Sequence, residues 1–179
     1  MTSSQHAPYS RYTGPNSLGI YSHDRAITLK SFLAYFGMAP SGRDTYCIAD
    51  ENHGLFLHAS VDDEHDRGHV VVVFLSSFPN CRHLPVVTAT IDPAVWKTPE
   101  GAGIGSTKQD VLRMYGQPQF SYKVALKPGP DEIAGMRDTD HIQTDVGDSS
   151  YVYNCDDLCA TQFEFKNGKV IWISISDSE

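Results

Sequence analysis

The strongest constraint on the fold is a short pattern that occurs twice. Residues 28–37 (TLKSFLAYFG) align without a gap on residues 107–116 (TKQDVLRMYG), and each copy runs on to a proline, at Pro40 and Pro118. A repeated pattern indicates one supersecondary unit built twice. The chain of 179 residues is long enough for one full-sized core or for two small cores that share an interface.

The first copy predicts a short amphipathic helix. Its apolar residues recur at i, i+3, i+4 and i+7, at Leu29, Phe32, Leu33 and Phe36. Gly37 is placed to end the helix in a left-handed cap.

The second copy predicts a second helix. Its apolar face consists of Val111, Leu112, Met114 and Tyr115. Ser106 or Thr107 can cap its start, Gln109 or Asp110 can complete a capping box, and Gly116 ends it.

The remaining apolar runs predict strands, because they are rich in β-branched and aromatic residues. They are 46–49, 54–60, 69–76 and 86–91 after the first helix, and 120–126, 151–155, 161–166 and 169–176 after the second. We therefore predict an α+β fold of two similar halves, each with a helix packed on an antiparallel β-sheet. The predicted divisions are a disordered N-terminal segment (1–17), a first unit (18–91), and a second unit (92–179) with a long polar loop (127–150).

The last two strands predict a hairpin, because Asn167-Gly168 between alternating runs is typical of a type I′ turn. Uninterrupted pairing from that turn places Phe163 opposite Trp172, and Phe165 opposite Val170, on one face. The isoleucines then lie on the other face, so both faces are apolar. The candidate partner-binding aromatics are Tyr151, Tyr153, Phe163, Phe165 and Trp172. The alternative is that they belong to the core.

The helix motif and the final hairpin together resemble a known fold. The motif residues are Gly103, Ile104, Ser106, Asp110, Val111, Tyr115, Gly116 and Pro118, and the hairpin spans 163–175 (FEFKNGKVIWISI). This combination is similar to the β-lactamase inhibitor protein family and to the small lipoprotein of the outer-membrane β-barrel assembly machine. The resemblance implies two tandem helix-plus-sheet units, one disulfide in each half, and an uncharacterised protein of the bacterial envelope.

Four cysteines bear on the compartment. Cys47, Cys81, Cys155 and Cys159 are split two per half, which fits two disulfides in an oxidising compartment. Unpaired thiols in a cytosolic protein are the alternative. Residues 1–17 contain no apolar segment of the kind a secretory signal has. We expect a periplasmic or secreted protein whose signal is not visible in the chain, with the cytoplasm as the alternative.

The net charge of −8 argues against nucleic acid and anionic membranes as partners. The longest apolar run, 70–75, is far shorter than the roughly 20 residues of a spanning helix. We therefore expect another protein as the partner, with no membrane span. The oligomeric state stays open.

The motifs that suggest chemistry are weak. The glycine-rich run 101–108 lacks the residue order of a phosphate-binding loop. An acidic cluster offers possible metal ligands, at Asp62, Glu64, His65, Asp66 and His69, although it also suits a solvated turn. We predict a non-catalytic protein-interaction module without a cofactor. The alternative is a metal-dependent enzyme or a metal-binding protein that uses residues 62–69.

Overall fold

A computed structural model of the protein describes residues 14–61, 68–79, 81, 84–123 and 146–177. These residues form ten strands and two helices. In chain order they are β1 (Ser17–Leu18), β2 (Tyr21–Ser22), α1 (Leu29–Tyr35), β3 (Thr45–Asp50), β4 (Leu55–Val61), β5 (Val70–Ser76), β6 (Val86–Thr88), α2 (Lys108–Tyr115), β7 (Phe120–Lys123), β8 (Ser149–Asn154), β9 (Cys159–Lys166) and β10 (Lys169–Asp177).

Both helices begin and end where the repeat predicts. The Thr28 side chain accepts the backbone N–H of Ser31 at the start of α1. Thr107 and Asp110 form a capping box at the start of α2, in which each side chain accepts the other residue's backbone N–H. Gly37 follows α1 with φ of 71°, a conformation that favours glycine. The predicted positions of the helices are therefore confirmed.

The predicted architecture of two separate helix-on-sheet halves is wrong. Eight strands form one continuous mixed sheet in the order β6-β3-β4-β5-β10-β9-β8-β7. The join is made by β5 and β10, which pair antiparallel from Ser76↔Trp172 to Val72↔Ser176. Strand therefore greatly exceeds helix, and one eight-stranded sheet takes the place of the two predicted sheets, while β1 and β2 pair in a separate two-stranded sheet. All neighbours in this sheet pair antiparallel except β3 and β6, which pair parallel.

The final hairpin has the predicted turn but a different register. Asn167 and Gly168 have φ of 52° and 75°, as a type I′ turn requires. A β-bulge between Val170 and Trp172 then shifts the pairing by one residue. The prediction that Phe163 lies opposite Trp172 is therefore wrong, because a one-residue shift moves the following side chains to the other face.

The bulge determines which side chains of β10 lie on each face of the sheet. Ile173 pairs with Phe163 on the face that packs against both helices, which we call the helix-packed face. Trp172 pairs with Glu164 on the opposite face. The main core lies between the helix-packed face and the two helices. It includes Leu57 and Leu75 of the sheet and Phe32 and Val111 of the helices.

The four cysteines form two disulfides, as the even count predicts. Cys47 bonds Cys81 with 5.8 Å between the Cα atoms, and Cys155 bonds Cys159 with 5.2 Å between them. Both Cα separations are usual for disulfides. Disulfides persist in oxidising surroundings, so they indicate an oxidising, exported location. Neither helix among the described residues is long and apolar enough to cross a bilayer.

Candidate functional site

The aromatic residues predicted to bind a partner are mostly buried. Phe163, Phe165 and Tyr153 have no exposed surface, and Tyr151 is half-buried. Phe163 stacks on Tyr115 of α2 with 5.7 Å between the ring centroids. These side chains therefore belong to the core beneath α2, which is the alternative the sequence left open. A surface for a partner needs other residues.

A hydrogen-bonded tyrosine fixes α2 against the segment before it. The Tyr115 hydroxyl donates to the Glu100 carboxylate at 2.6 Å and also bonds the Thr98 hydroxyl. Thr98 in turn accepts the backbone N–H of Ala102 at 3.0 Å. Burial, together with the Glu100 carboxylate, raises the pKa of Tyr115 well above its ordinary value. The hydroxyl is therefore a neutral structural donor at physiological pH.

The opposite face of the sheet contains a second aromatic group. The ring of Phe74 lies 5.4 Å from Trp172 and 5.1 Å from His58, measured between centroids. The buried ring nitrogens His58 Nε2 and Trp172 Nε1 have no hydrogen-bond partner among the described residues. Burial lowers the pKa of His58, so its neutral form is favoured. Trp172 is only 5% exposed, so this group is a second buried layer and not a patch on the surface.

The connection from β5 to β6 covers part of this opposite face. Because β4 is antiparallel to both β3 and β5, strand β5 runs parallel to β6, and the chain must cross β4 and β3 to reach the edge. Cys47 pairs with His58 on the opposite face, and its disulfide to Cys81 attaches the crossing segment there. The disulfide therefore holds in place the segment that leads into β6.

A buried carboxylate holds the segment that leaves β6. Asp50, at the end of β3, accepts the backbone N–H groups of Asn52, His53 and Ile91 at 3.0, 3.2 and 2.7 Å. Its other contact is His53 Nδ1 at 2.7 Å. The His53 side chain and the N–H groups of Ile91 and His53 lower the pKa of Asp50 to about 2. Asp50 and the disulfide thus fix the chain on both sides of β6.

Strand β6 is an open edge of the sheet. Val86 and Val87 are 52% and 36% exposed, and Thr88 is exposed as well. Ala89 donates its N–H to the Ala49 carbonyl of β3 at 3.1 Å. Since the direction of the N–H alternates along a strand, Val86 and Thr88 direct theirs away from β3. Among the described strands, only β3 pairs with β6.

A small apolar groove lies on the helix side of the sheet. Its volume is about 240 Å³, and its walls are Leu55, Leu75, Pro93, Ala94, Trp96, Lys97 and Ile104. Trp96 is buried against Phe36 in a stacked contact, and its Nε1 has no hydrogen-bond partner in the part of the chain that the structure describes. The lining of the groove is apolar apart from Lys97.

Of the predicted metal ligands, the structure describes His69 alone. Residues 62–67 lie outside the described residues, and His69 forms an isolated β-bridge with Thr28. In the part of the chain that the structure describes, one cluster of ligand types occurs, formed by His23, Asp156 and Cys159, whose ligand atoms lie within 4.8 Å of one another. Cys159 is in a disulfide and cannot supply a thiolate, so this cluster does not form a three-ligand metal site.

Comparisons with known proteins identify no family. No protein-family model matches the chain, and no curated protein sequence matches it. One solved structure is similar in part, a DUF4309 family protein (YjgB) from Bacillus subtilis, with 10% sequence identity and a TM-score of 0.43. The match covers 84% of this chain and 78% of that protein.

The sequence predicts a strand at 86–91, but it does not predict that this strand, β6, is an exposed edge of the sheet. A local signal was present, since Pro85 precedes Val86 and Val87, and proline beside a strand is typical of sheet edges. The parallel pairing of β6 with β3 has no such local signal, because the crossing segment sets it.

Proposed function

We propose that this protein is a non-catalytic protein-binding module of the periplasm or the extracellular space, which binds an extended segment of another protein along β6. The observation that carries this proposal is the open edge with two exposed valines. A strand that presents unpaired backbone groups is a template for a further strand. The two disulfides support the compartment.

The geometry of β6 suits specific strand addition. Val86 and Val87 point to opposite faces of the sheet, so an added strand would contact an apolar side chain on each face. The strand has three residues and follows Pro85, and such features limit uncontrolled edge pairing. The anchors at Cys81 and Asp50 keep the edge in place before binding, which lowers the entropic cost of association.

The net charge of −8 favours a neutral or basic segment as the partner. The same charge disfavours a second copy of this chain, because two acidic surfaces repel each other. We therefore commit to a segment of a different protein, one that is extended and not acidic.

The test uses Thr88, whose N–H points away from β3. Thr88→Pro removes that donor and blocks an added strand, while the bonds to β3 remain. Thr88→Val keeps the donor and is the matched control. The probe is a phage-displayed library of random peptides panned on the wild-type protein, and selected peptides are synthesised and titrated by calorimetry.

We expect the Kd of selected peptides to rise more than about tenfold in Thr88→Pro and to change little in Thr88→Val, since strand addition depends on main-chain hydrogen bonds. Three outcomes would overturn the proposal. These are failure to select any peptide, equal binding by Thr88→Pro, and a wild-type dimer that Thr88→Pro abolishes in light scattering. The last outcome would assign the edge to self-association.

A further inference from the structure

The disulfide between Cys155 and Cys159 adds few constraints that the fold does not already have. It closes the short turn between β8 and β9, which main-chain bonds already close. Asn154 pairs with Ala160, and the Cys155 N–H donates to the Cys159 carbonyl at 3.0 Å. The entropic contribution of a disulfide grows with the length of chain it encloses, and this bridge spans a separation of only four residues.

The two cysteines differ in exposure. Cys159 is buried, with 1% of its surface exposed, whereas Cys155 is half-buried. A thiol that approaches from solvent therefore reaches the Cys155 sulfur first, and the Cys159 sulfur becomes the leaving group. Leu158, between them, is 61% exposed and is the most exposed large apolar side chain among the described residues. It offers an apolar contact beside the bridge.

An imidazole lies next to the buried sulfur. His23 Nε2 lies 2.8 Å from the Asp156 carboxylate, and the ligand atoms of His23, Asp156 and Cys159 all lie within 4.8 Å of one another. A protonated imidazole beside a sulfur stabilises the thiolate form. The Asp156 carboxylate holds the imidazole in this position.

We infer that Cys155–Cys159 is an exchangeable disulfide that accepts electrons from a protein dithiol. A partner thiolate attacks the Cys155 sulfur, the bond between the two cysteines breaks, and the electron pair leaves on Cys159 beside His23. The partner's second thiolate then attacks the partner sulfur of the mixed disulfide and releases Cys155. Two electrons and two protons pass to the cysteines, and the partner dithiol becomes a disulfide.

The proposal predicts unequal reactivity of the two bridges in the native protein. Reduced glutathione is the probe, and alkylation followed by peptide mass analysis follows each bridge separately. We expect Cys155–Cys159 to be reduced at least about tenfold faster than Cys47–Cys81, with the mixed disulfide on Cys155, because access and leaving-group stability govern exchange.

The role of His23 is tested with His23→Gln, and His53→Gln is the matched control. His53 also contacts an aspartate, Asp50, at 2.7 Å, but His53 is not part of the cluster around Cys159. We expect His23→Gln to slow reduction of Cys155–Cys159 about tenfold, since a poorer leaving thiolate departs more slowly, and His53→Gln to leave that rate unchanged.

Equal reduction rates for the two bridges, attack on Cys159, or an unchanged rate in His23→Gln would overturn the inference. A variant that merely unfolds would expose both bridges and raise both rates. In that case His23→Asn replaces it, and the expected result is the same slowing at this bridge only.

Discussion

The two disulfides should differ in their contribution to stability, because they enclose very different lengths of chain. Cys47 and Cys81 are separated by 34 residues, and Cys155 and Cys159 by four. The loop-entropy relation gives about 4 kcal/mol for the first bridge and about 2 kcal/mol for the second. We therefore expect Cys47→Ala/Cys81→Ala to lower the free energy of unfolding by about 2 kcal/mol more than Cys155→Ala/Cys159→Ala.

Urea unfolding of the two double variants, followed by tryptophan fluorescence and by circular dichroism, measures this difference. The comparison is well matched, because each variant removes two sulfurs and at least one of them is fully buried. Agreement between the two probes would support a two-state analysis. An equal loss of stability, or a larger loss in the variant without the short bridge, would refute the reasoning that chain enclosure dominates.

Two further predictions concern single residues. Gly19→Ala should destabilise the fold by about 2–4 kcal/mol, since it combines a φ of 61° with a Cβ only 2.5 Å from the ring of Trp96. Gly37→Ala has a similar φ of 71° but open space around the Cβ, so thermal unfolding should show a loss of only about 1 kcal/mol; equal losses would contradict the packing argument. The pKa of Asp50 in the folded state is lowered from 3.8 to about 2. The contribution of Asp50 to the free energy of unfolding is therefore present above pH 4 and is lost as the pH falls towards 2. Thermal unfolding of Asp50→Asn across this range should show a weaker dependence on pH than the wild type, and an unchanged dependence would show that other carboxylates are responsible.

Local elements could be predicted from the sequence because their signals are local. The left-handed Gly37 after α1, the capping box at Thr107 and the Asn167-Gly168 turn each depend on neighbouring residues, and each is present. The bulge at Ile171 could not be predicted, because the run from Val170 to Ile175 is apolar at nearly every position and so does not define a face. That single extra residue decided which side chains are core.

The continuity of the sheet had no sequence signal either. The pairing of Leu75 with Ile173 joins residues that are far apart in the chain, and strand runs that suit an edge also suit a central position. The candidate surface has one local signal, Pro85, but its exposure depends on the topology. Exposure of Val86 and Val87 follows from the topology, which places β6 at the edge, and two adjacent valines in isolation are equally typical of a buried strand.

The two proposed activities occupy separate parts of the molecule and can fail separately. Strand β6 forms one end of the strand order, whereas the Cys155–Cys159 turn joins β8 and β9 near the other end. The long disulfide attaches the segment that leads into β6, so its removal should weaken binding at that edge. The short disulfide lies at the turn between β8 and β9, and four strands separate β9 from β6, so its reduction should leave binding there intact. A reducing agent that opened only the short bridge would therefore separate redox exchange from strand addition in a single sample.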